Sequence, residues 1–277
     1  MSTYPTLTVV KEILQTQGLA PRKRLGQNFL VDANIARKSL ELAKVSEGDT
    51  IVEIGPGLGA LTQLLLEAGS QVFAIEKDFG LHRFIDESIA PRFPEQLKLM
   101  QGDAMDHPLA SLTDAPAQTK IVANLPYAIS TPWLDSVLAG PLPERMVLML
   151  QKEAADRFVA NSGSGNFGPI SLFLKSAYEV HEIHKVGAQC FYPLPDVGSA
   201  LLSLRRLENP LVFKKEIKEG IRQIFRQRRK QISSIVAKAP LPDSFQAWLK
   251  AMIESGLAPE TRPEAITETQ WKALAAC

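Results

Sequence analysis

The sequence predicts an α/β protein: an open, mostly parallel sheet with helices on both faces, followed by a small all-α C-terminal domain. Three observations predict it. A short apolar strand runs into a glycine-rich turn, Gly55-Pro56-Gly57-Leu58-Gly59, then into a helical period and a second strand. Strand, turn, helix and strand in that order form a βαβ unit, which requires a right-handed crossover and a parallel sheet. Strand-like and helix-like periods go on alternating as far as residue 159, and beyond Glu208 every apolar period is helical.

The elements follow in order. Residues 8–17 place Val9, Val10, Ile13 and Leu14 on one helical face, and Gly18 stops them. A basic elbow, Pro21-Arg22-Lys23-Arg24-Leu25-Gly26, leads to a second helical stretch at 34–45. The buried strand is 50–54, the helix after the glycine turn 60–68, and the next strand 71–75. Strands are expected at 97–100, 120–123 and 145–150. Helices are expected at 131–138, which tolerates Pro132 in its first turn, and at 152–159. Asn161-Ser162-Gly163-Ser164-Gly165-Asn166 is a loop. The strands at 178–186 and 199–207, joined through Phe191-Tyr192-Pro193-Leu194-Pro195, are expected to be antiparallel. Helices are then expected at 214–225, 230–236, 244–254 and 263–275, with a domain boundary near 207–210.

Composition narrows the function. Hydrophobic residues make up 45% and charged residues 22%, which excludes a disordered or supercharged chain. The net charge of +1 excludes coating of nucleic acid by bulk charge, so any such contact must come from local patches. Two cysteines, Cys190 and Cys277, cannot build a disulfide framework or a four-thiolate metal site, and they read as reduced thiols of a cytoplasmic protein. No apolar run is long enough to span a bilayer, and the N-terminal residues do not form a signal peptide.

The glycine turn is the first chemical signal. It lets a ligand approach the backbone and aims helix N–H groups at it. Alone it fits an NAD site, another nucleotide or a plain tight turn. Glu76, at the end of the second strand, is placed to accept from both ribose hydroxyls. Asp103, after the third strand, can accept from the exocyclic amine of an adenine. The fourth strand ends in Asn124-Leu125-Pro126-Tyr127. An aminated base is a poor nucleophile because its lone pair is delocalised into the ring. The Asn124 side-chain oxygen and a backbone carbonyl beside Pro126 can hold both N–H bonds of such an amine. Pro126 fixes the chain direction, and Tyr127 offers a face on which an extruded base can stack. Hydride transfer has no use for this quartet.

These residues resemble a known family, the S-adenosylmethionine-dependent ribosomal RNA adenine N6-dimethyltransferases, nearly along the whole chain. Arg22-Lys23-Arg24-Leu25-Gly26-Gln27-Asn28-Phe29-Leu30 resembles the family's cofactor-covering leader. Glu53-Ile54-Gly55-Pro56-Gly57-Leu58-Gly59 resembles its glycine motif. Glu76-Lys77-Asp78, Gly102-Asp103-Ala104 and Asn124-Leu125-Pro126-Tyr127 follow. Phe191-Tyr192-Pro193-Leu194-Pro195-Asp196-Val197-Gly198-Ser199-Ala200 resembles its late proline motif, and Phe225-Arg226-Gln227-Arg228-Arg229-Lys230 its basic motif. Gln231-Ile232-Ser233-Ser234 departs from the Thr-Leu and Asn expected next.

The resemblance implies a Rossmann-like methyltransferase domain over residues 1–207, with 1–33 covering the cofactor, and a helical RNA- and subunit-binding domain over 208–277. Asn28, Leu30, Gly55, Glu76, Asp103 and Asn124 would line the cofactor. Tyr127 and Phe191 would bracket the target adenine, whose N6 attacks the methyl carbon of the sulfonium in line. The similar branch is the bacterial small-subunit enzyme. It dimethylates two adjacent adenines in the 3′-terminal hairpin loop of 16S rRNA within the immature 30S subunit. The expected protein is a cytoplasmic monomer that uses no membrane and no metal. The basic residues Arg22, Lys23, Arg24, Arg222, Arg226, Arg228, Arg229 and Lys230 are expected to meet RNA phosphates.

Competing readings are a large-subunit enzyme of the macrolide-resistance type, a ribosome assembly factor, an NAD oxidoreductase and a DNA adenine methyltransferase. His181 and His184 sit on a strand-like run, not at helical metal spacing, and read as a solvated edge. Cys190 reads as a packed small hydrophobe, and Trp248 and Trp271 as core.

Overall fold

A computed structural model describes residues 4–276. Met1–Thr3 of the expected leader, and Cys277, lie outside the described residues. In chain order the elements begin α1 (Leu7–Thr16), β1 (Phe29–Leu30), α2 (Ala33–Ala43), β2 (Thr50–Ile54), α3 (Ala60–Glu67), β3 (Gln71–Glu76), α4 (Phe79–Ser88), β4 (Leu97–Gln101) and β5 (Lys120–Asn124). There follow α5 (Ser130–Val137), β6 (Arg145–Gln151), α6 (Lys152–Phe158), α7 (Pro169–Ala177), β7 (Tyr178–Val186), β8 (Phe191–Tyr192) and β9 (Ser199–Arg206). The chain ends in α8 (Lys215–Phe225), α9 (Ile232–Lys238), α10 (Asp243–Glu254) and α11 (Glu268–Lys272).

Seven strands form one sheet in the order β4-β3-β2-β5-β6-β9-β7, with helices on both faces in a Rossmann-like arrangement. Neighbours from β4 through β6 are parallel, and β9 runs antiparallel to β6. Strand order reverses at β2 and β5, and in open sheets the crevice above such a switch point is where ligands bind. β1 and β8 form a separate two-stranded ribbon that pairs Phe29 with Tyr192 and Leu30 with Phe191. The central strands are solid with apolar side chains: Ile51, Val52, Ile121, Val122 and Val147 have no exposure. That continuous burial matches a parallel sheet covered on both faces.

The chain divides into two compact units. One runs as far as Val137 and adds Pro141–Ala155 and Val180–Arg206; the other comprises Leu138–Gly140, Asp156–Glu179 and the chain from Leu207 onward. The second unit therefore takes in a segment well ahead of residue 207. Its core is aromatic: Trp248 and Trp271 are fully buried and stack at 4.9 Å, and Phe225 packs on Trp271 at 5.5 Å.

Three elements differ from expectation. α7 was not expected, although Ile170, Phe173, Leu174 and Ala177 stand at helical spacing with Ser171 and Lys175 on the other face, directly after the loop and Pro169. α4 was not expected either; its apolar face is only Leu81, Phe84 and Ile85. The stretch expected as one helix at 263–275 is broken into a 3₁₀ turn at Pro263–Ala265, α11, and a second turn at Ala273–Ala276. Thr267 restarts the helix as a capping box with Gln270. Among the described residues, no helix is long and apolar enough to cross a membrane.

Candidate active site

The site lies at the carboxyl ends of β2, β3 and β5. Gly57 and Gly59 have φ of 63° and 81°, in the left-handed region that glycine enters without strain. At both positions a side chain also meets the packing. A Cβ on Gly59 would lie 2.2 Å from the Ile89 Cδ1 atom, and one on Gly57 would lie 3.3 Å from the Phe29 ring. The turn therefore presents bare backbone where α3 begins.

Glu76 stitches this turn to the next strand. Its Oε2 accepts from Gly57 N at 3.0 Å and its Oε1 from Asp78 N at 2.8 Å. Burial raises the pKa of its carboxyl above the usual range. Glu53, on β2, is buried more completely. Its Oε2 has no hydrogen-bond partner, and burial pushes its pKa up to about 8, against hydrogen bonding from Thr62 to the carboxyl, which acts to lower it. Asp103 is held differently: Lys77 forms an ion pair with its Oδ2, and Met105 N donates to its Oδ1 at 3.0 Å. The hydrogen bond from Lys77 comes first among the causes that lower its pKa.

At the end of β5 the Asn124 amide donates to the Asn28 carbonyl at 2.9 Å, which leaves Oδ1 as an acceptor. Leu125 is buried, with its N–H on Met149 O at 3.2 Å, and Pro126 leads into the 3₁₀ turn Tyr127–Ile129. The Tyr127 hydroxyl is hydrogen-bonded to Ser199 Oγ at 2.9 Å. Asn28, Leu30, Gly55, Glu76, Asp103, Asn124, Leu125, Pro126 and Tyr127 all line one cavity, with Arg24 at its edge.

Phe191 does not line this cavity. It is 2% exposed and belongs to the hydrophobic core, where it faces Leu30 across the β1–β8 ribbon. In this conformation the ring serves packing, and truncating it would cost core stability first. Arg22 and Lys23 are likewise outside the cavity lining, and Arg22 pairs with Asp78 at 3.0 Å.

The basic motif of the second unit is also partly committed. Arg228 Nε bonds Glu264 Oε2 at 2.7 Å, and the Arg222 guanidinium lies over the Phe173 ring at 5.5 Å. Arg226, Arg229 and Lys230 are exposed in the turn between α8 and α9. Cys190 is buried and its thiol pKa is raised, first by burial, as befits a packed side chain. Among the described residues, no cluster of metal-ligating side chains occurs, and His181 is exposed on β7.

Glu53 and Ser199 are polar groups of the site that sequence reasoning passed over. A glutamate inside the otherwise apolar strand Thr50-Ile51-Val52-Glu53-Ile54 was the available signal. Ser199 stood in the late motif, with nothing to tie it to Tyr127.

A model of the ribosomal RNA adenine dimethylase family matches residues 18–274. The chain belongs to that family. It is 57% identical over 270 residues to the "Ribosomal RNA small subunit methyltransferase A" of Opitutus terrae, covering 97% of each chain. It is 39% identical to the protein of the same name from Chlamydia trachomatis serovar D, covering 88% of this chain and 87% of that one. Among solved structures, a dimethyladenosine transferase from Plasmodium falciparum aligns with a TM-score of 0.74 at 25% identity, covering 89% of this chain and 95% of that one. The 23S rRNA methyltransferase ErmE shares the fold, with a TM-score of 0.64 at 23% identity over 90% and 98% of the two chains.

As a member of the rRNA adenine dimethylase family, the chain is an enzyme that uses S-adenosylmethionine. The cavity fits that cofactor: a turn with three glycines at positive φ presents bare backbone, and the Glu76 and Asp103 carboxyl groups line the same cavity.

Proposed function

We propose that the protein transfers methyl groups from S-adenosylmethionine to N6 of two adjacent adenines in the 3′-terminal hairpin loop of 16S rRNA. The product is N6,N6-dimethyladenosine, made on the immature 30S subunit by a cytoplasmic monomer. The observation that carries this reading is the Asn124-Leu125-Pro126-Tyr127 quartet lining the same cavity as Glu76 and the glycine turn. The names of the two relatives above, which specify the small subunit, support the choice of RNA.

When bound, the cofactor supplies a methyl group made electrophilic by its sulfonium. The residues of this chain position the amine that receives it. Asn124, with its amide N–H fixed on Asn28, offers Oδ1 to one N6–H, and the backbone carbonyl beside Pro126 offers a second acceptor. Tyr127, steadied by Ser199, supplies the stacking face. Positioning and electrostatics are the rate terms such a site can provide. Asn28, Leu30, Gly55, Glu76 and Asp103 are the proposed cofactor contacts. Phe191 can join a base only after the ribbon that buries it has shifted. Residues 1–207 are proposed to carry the chemistry and 208–277 the docking on RNA, through Arg226, Arg229 and Lys230 there and Lys23 and Arg24 in the leader.

The test is mass spectrometry of rRNA from a deletion strain complemented with wild type or Asn124→Ala. Wild type should restore dimethyladenosine in 16S rRNA, and Asn124→Ala should not, while still binding undermethylated subunits. Restoration in 23S rRNA instead would sink the small-subunit assignment.

A further inference from the structure

The turn Glu76-Lys77-Asp78 also holds the leader. Asp78 is 4% exposed at its side chain, and both of its oxygens are in use. Oδ1 accepts from Gly80 N at 2.9 Å and caps α4. That is all a helix cap needs. Oδ2 does something else: it accepts from the Arg22 guanidinium at 3.0 Å and from Gln27 Nε2 at 3.1 Å. Gln27 in turn fixes the shape of the elbow, since its Oε1 accepts from Arg22 N at 2.7 Å. At the very next residue, the Asn28 carbonyl is held by Asn124, and Asn28 and Leu30 line the cavity. The leader is thus pinned twice, by Asp78 at its start and by Asn124 near its end.

We propose that Asp78 is a positioning residue: through Arg22 and Gln27 it latches the leader, residues 22–30, over the cofactor cavity and so sets how long the cofactor stays. The part that concerns the cofactor rests on the methyltransferase reading; the latch itself does not. Arg22 is 48% exposed, so solvent weakens the ion pair, but its partner carboxylate is buried and charge-assisted bonds to such a group persist.

The measurement is tryptic cleavage after Lys23 and Arg24 in the full-length protein without cofactor, followed by mass spectrometry. Wild type is compared with Asp78→Asn, Arg22→Gln, Gln27→Ala and the double variant Asp78→Asn/Arg22→Gln. Asparagine keeps the Oδ1 acceptor, so α4 stays capped. Cleavage at Lys120, which is buried in the sheet, reports any global loosening. Asp78→Asn and Arg22→Gln should each speed cleavage at the elbow by roughly tenfold, with no change at Lys120. The double variant should be no faster than Asp78→Asn alone, because that variant already removes the contact that Arg22→Gln removes. S-Adenosylmethionine should dissociate faster from each variant in stopped flow, with KM for the cofactor raised more than kcat is lowered. Elbow cleavage in Asp78→Asn indistinguishable from wild type, or single effects that multiply in the double variant, would overturn the latch. Should Asp78→Asn fail to fold, Arg22→Gln and Gln27→Ala decide alone, since neither touches α4. Fast cleavage with unaltered cofactor release would remove the cofactor half of the proposal and leave the RNA reading untouched.

Discussion

The two ends of the parallel strands treat buried charge in opposite ways. At the amino end of β5, the Lys120 ammonium is 8% exposed and bonds Asp49 Oδ2 at 2.6 Å and the Lys44 carbonyl at 2.7 Å. Its charge is matched inside the protein. At the carboxyl end of β2, Glu53 carries an oxygen with no partner, and the nearby Glu76 carboxyl disfavours its ionisation further. A matched end holds the sheet together. An unmatched end costs stability and is retained where a ligand can supply the match.

The largest effect should come from breaking the matched end. Lys120→Met leaves the Asp49 carboxylate without its counter-charge, and losing one partner of a buried pair costs about 3–5 kcal/mol. Because Asp49 retains a bond from Ser46 N at 2.7 Å and some solvent, the lower figure is expected. Thermal unfolding should show a clearly lower midpoint, with cofactor affinity preserved because Lys120 is not part of the cavity. An unchanged midpoint would erase the contrast between the two ends.

The unmatched end should respond with the opposite sign. Glu53 has a pKa raised from 4.5 to about 8 in the folded chain, so between those values the folded state holds a proton that the unfolded state has released. Its contribution is therefore fully present below about pH 4.5 and is lost as pH rises through 8. Glu53→Gln should remove this downward slope and make the protein more stable than wild type at pH 8, while weakening cofactor binding. Denaturant titrations of both proteins from pH 5 to pH 9 check it; parallel stability curves would mean that Glu53 is ionised in the fold.

The contrast also separates what the sequence made legible from what it did not. The glycine turn, Glu76, Asp103 and Asn124 were readable because each sits at a fixed station in a βαβ order, where chain direction alone sends it to one end of the sheet. The strands were readable for the same reason: their apolar runs are bounded by turns. Asp78 and Gln27 meet across 51 positions, and neither residue type in its local pattern announces the other. Nothing local to Phe191 announces the two-residue pairing with Leu30 that buries its ring. α7 left a trace that went unread: Ile170, Phe173, Leu174 and Ala177 stand at helical spacing, but in a segment of only nine residues behind a glycine-rich loop. Pairings made in three dimensions leave no local trace.

The smallest effect concerns the second unit, where the same distinction between matched and unmatched charge sorts the basic motif. Arg228 is matched by Glu264, and Arg222 rests on an aromatic face, whereas Arg226, Arg229 and Lys230 stand exposed in the α8–α9 turn. Each phosphate neutralised contributes about −0.9 for a duplex, or −0.7 for a single strand, to the slope of log affinity against log salt. A rigid RNA backbone cannot reach every face of a tight turn, so replacing the three exposed residues with alanine should flatten the slope by about two units. Arg228→Ala alone should flatten it by less than one such contact and chiefly loosen the turn, because its charge is already spent on Glu264. The experiment is a salt titration of binding to undermethylated small subunits, with wild type, the triple variant and Arg228→Ala side by side. Cofactor binding, for which the proposed contacts all lie in the first unit, should be the same in all three. If Arg228→Ala flattens the slope as much as the triple variant does, Arg228 leaves Glu264 on binding and matched charge is no guide to the RNA footprint. If neither variant changes the slope, the motif is a solvated face and the footprint belongs to Lys23 and Arg24.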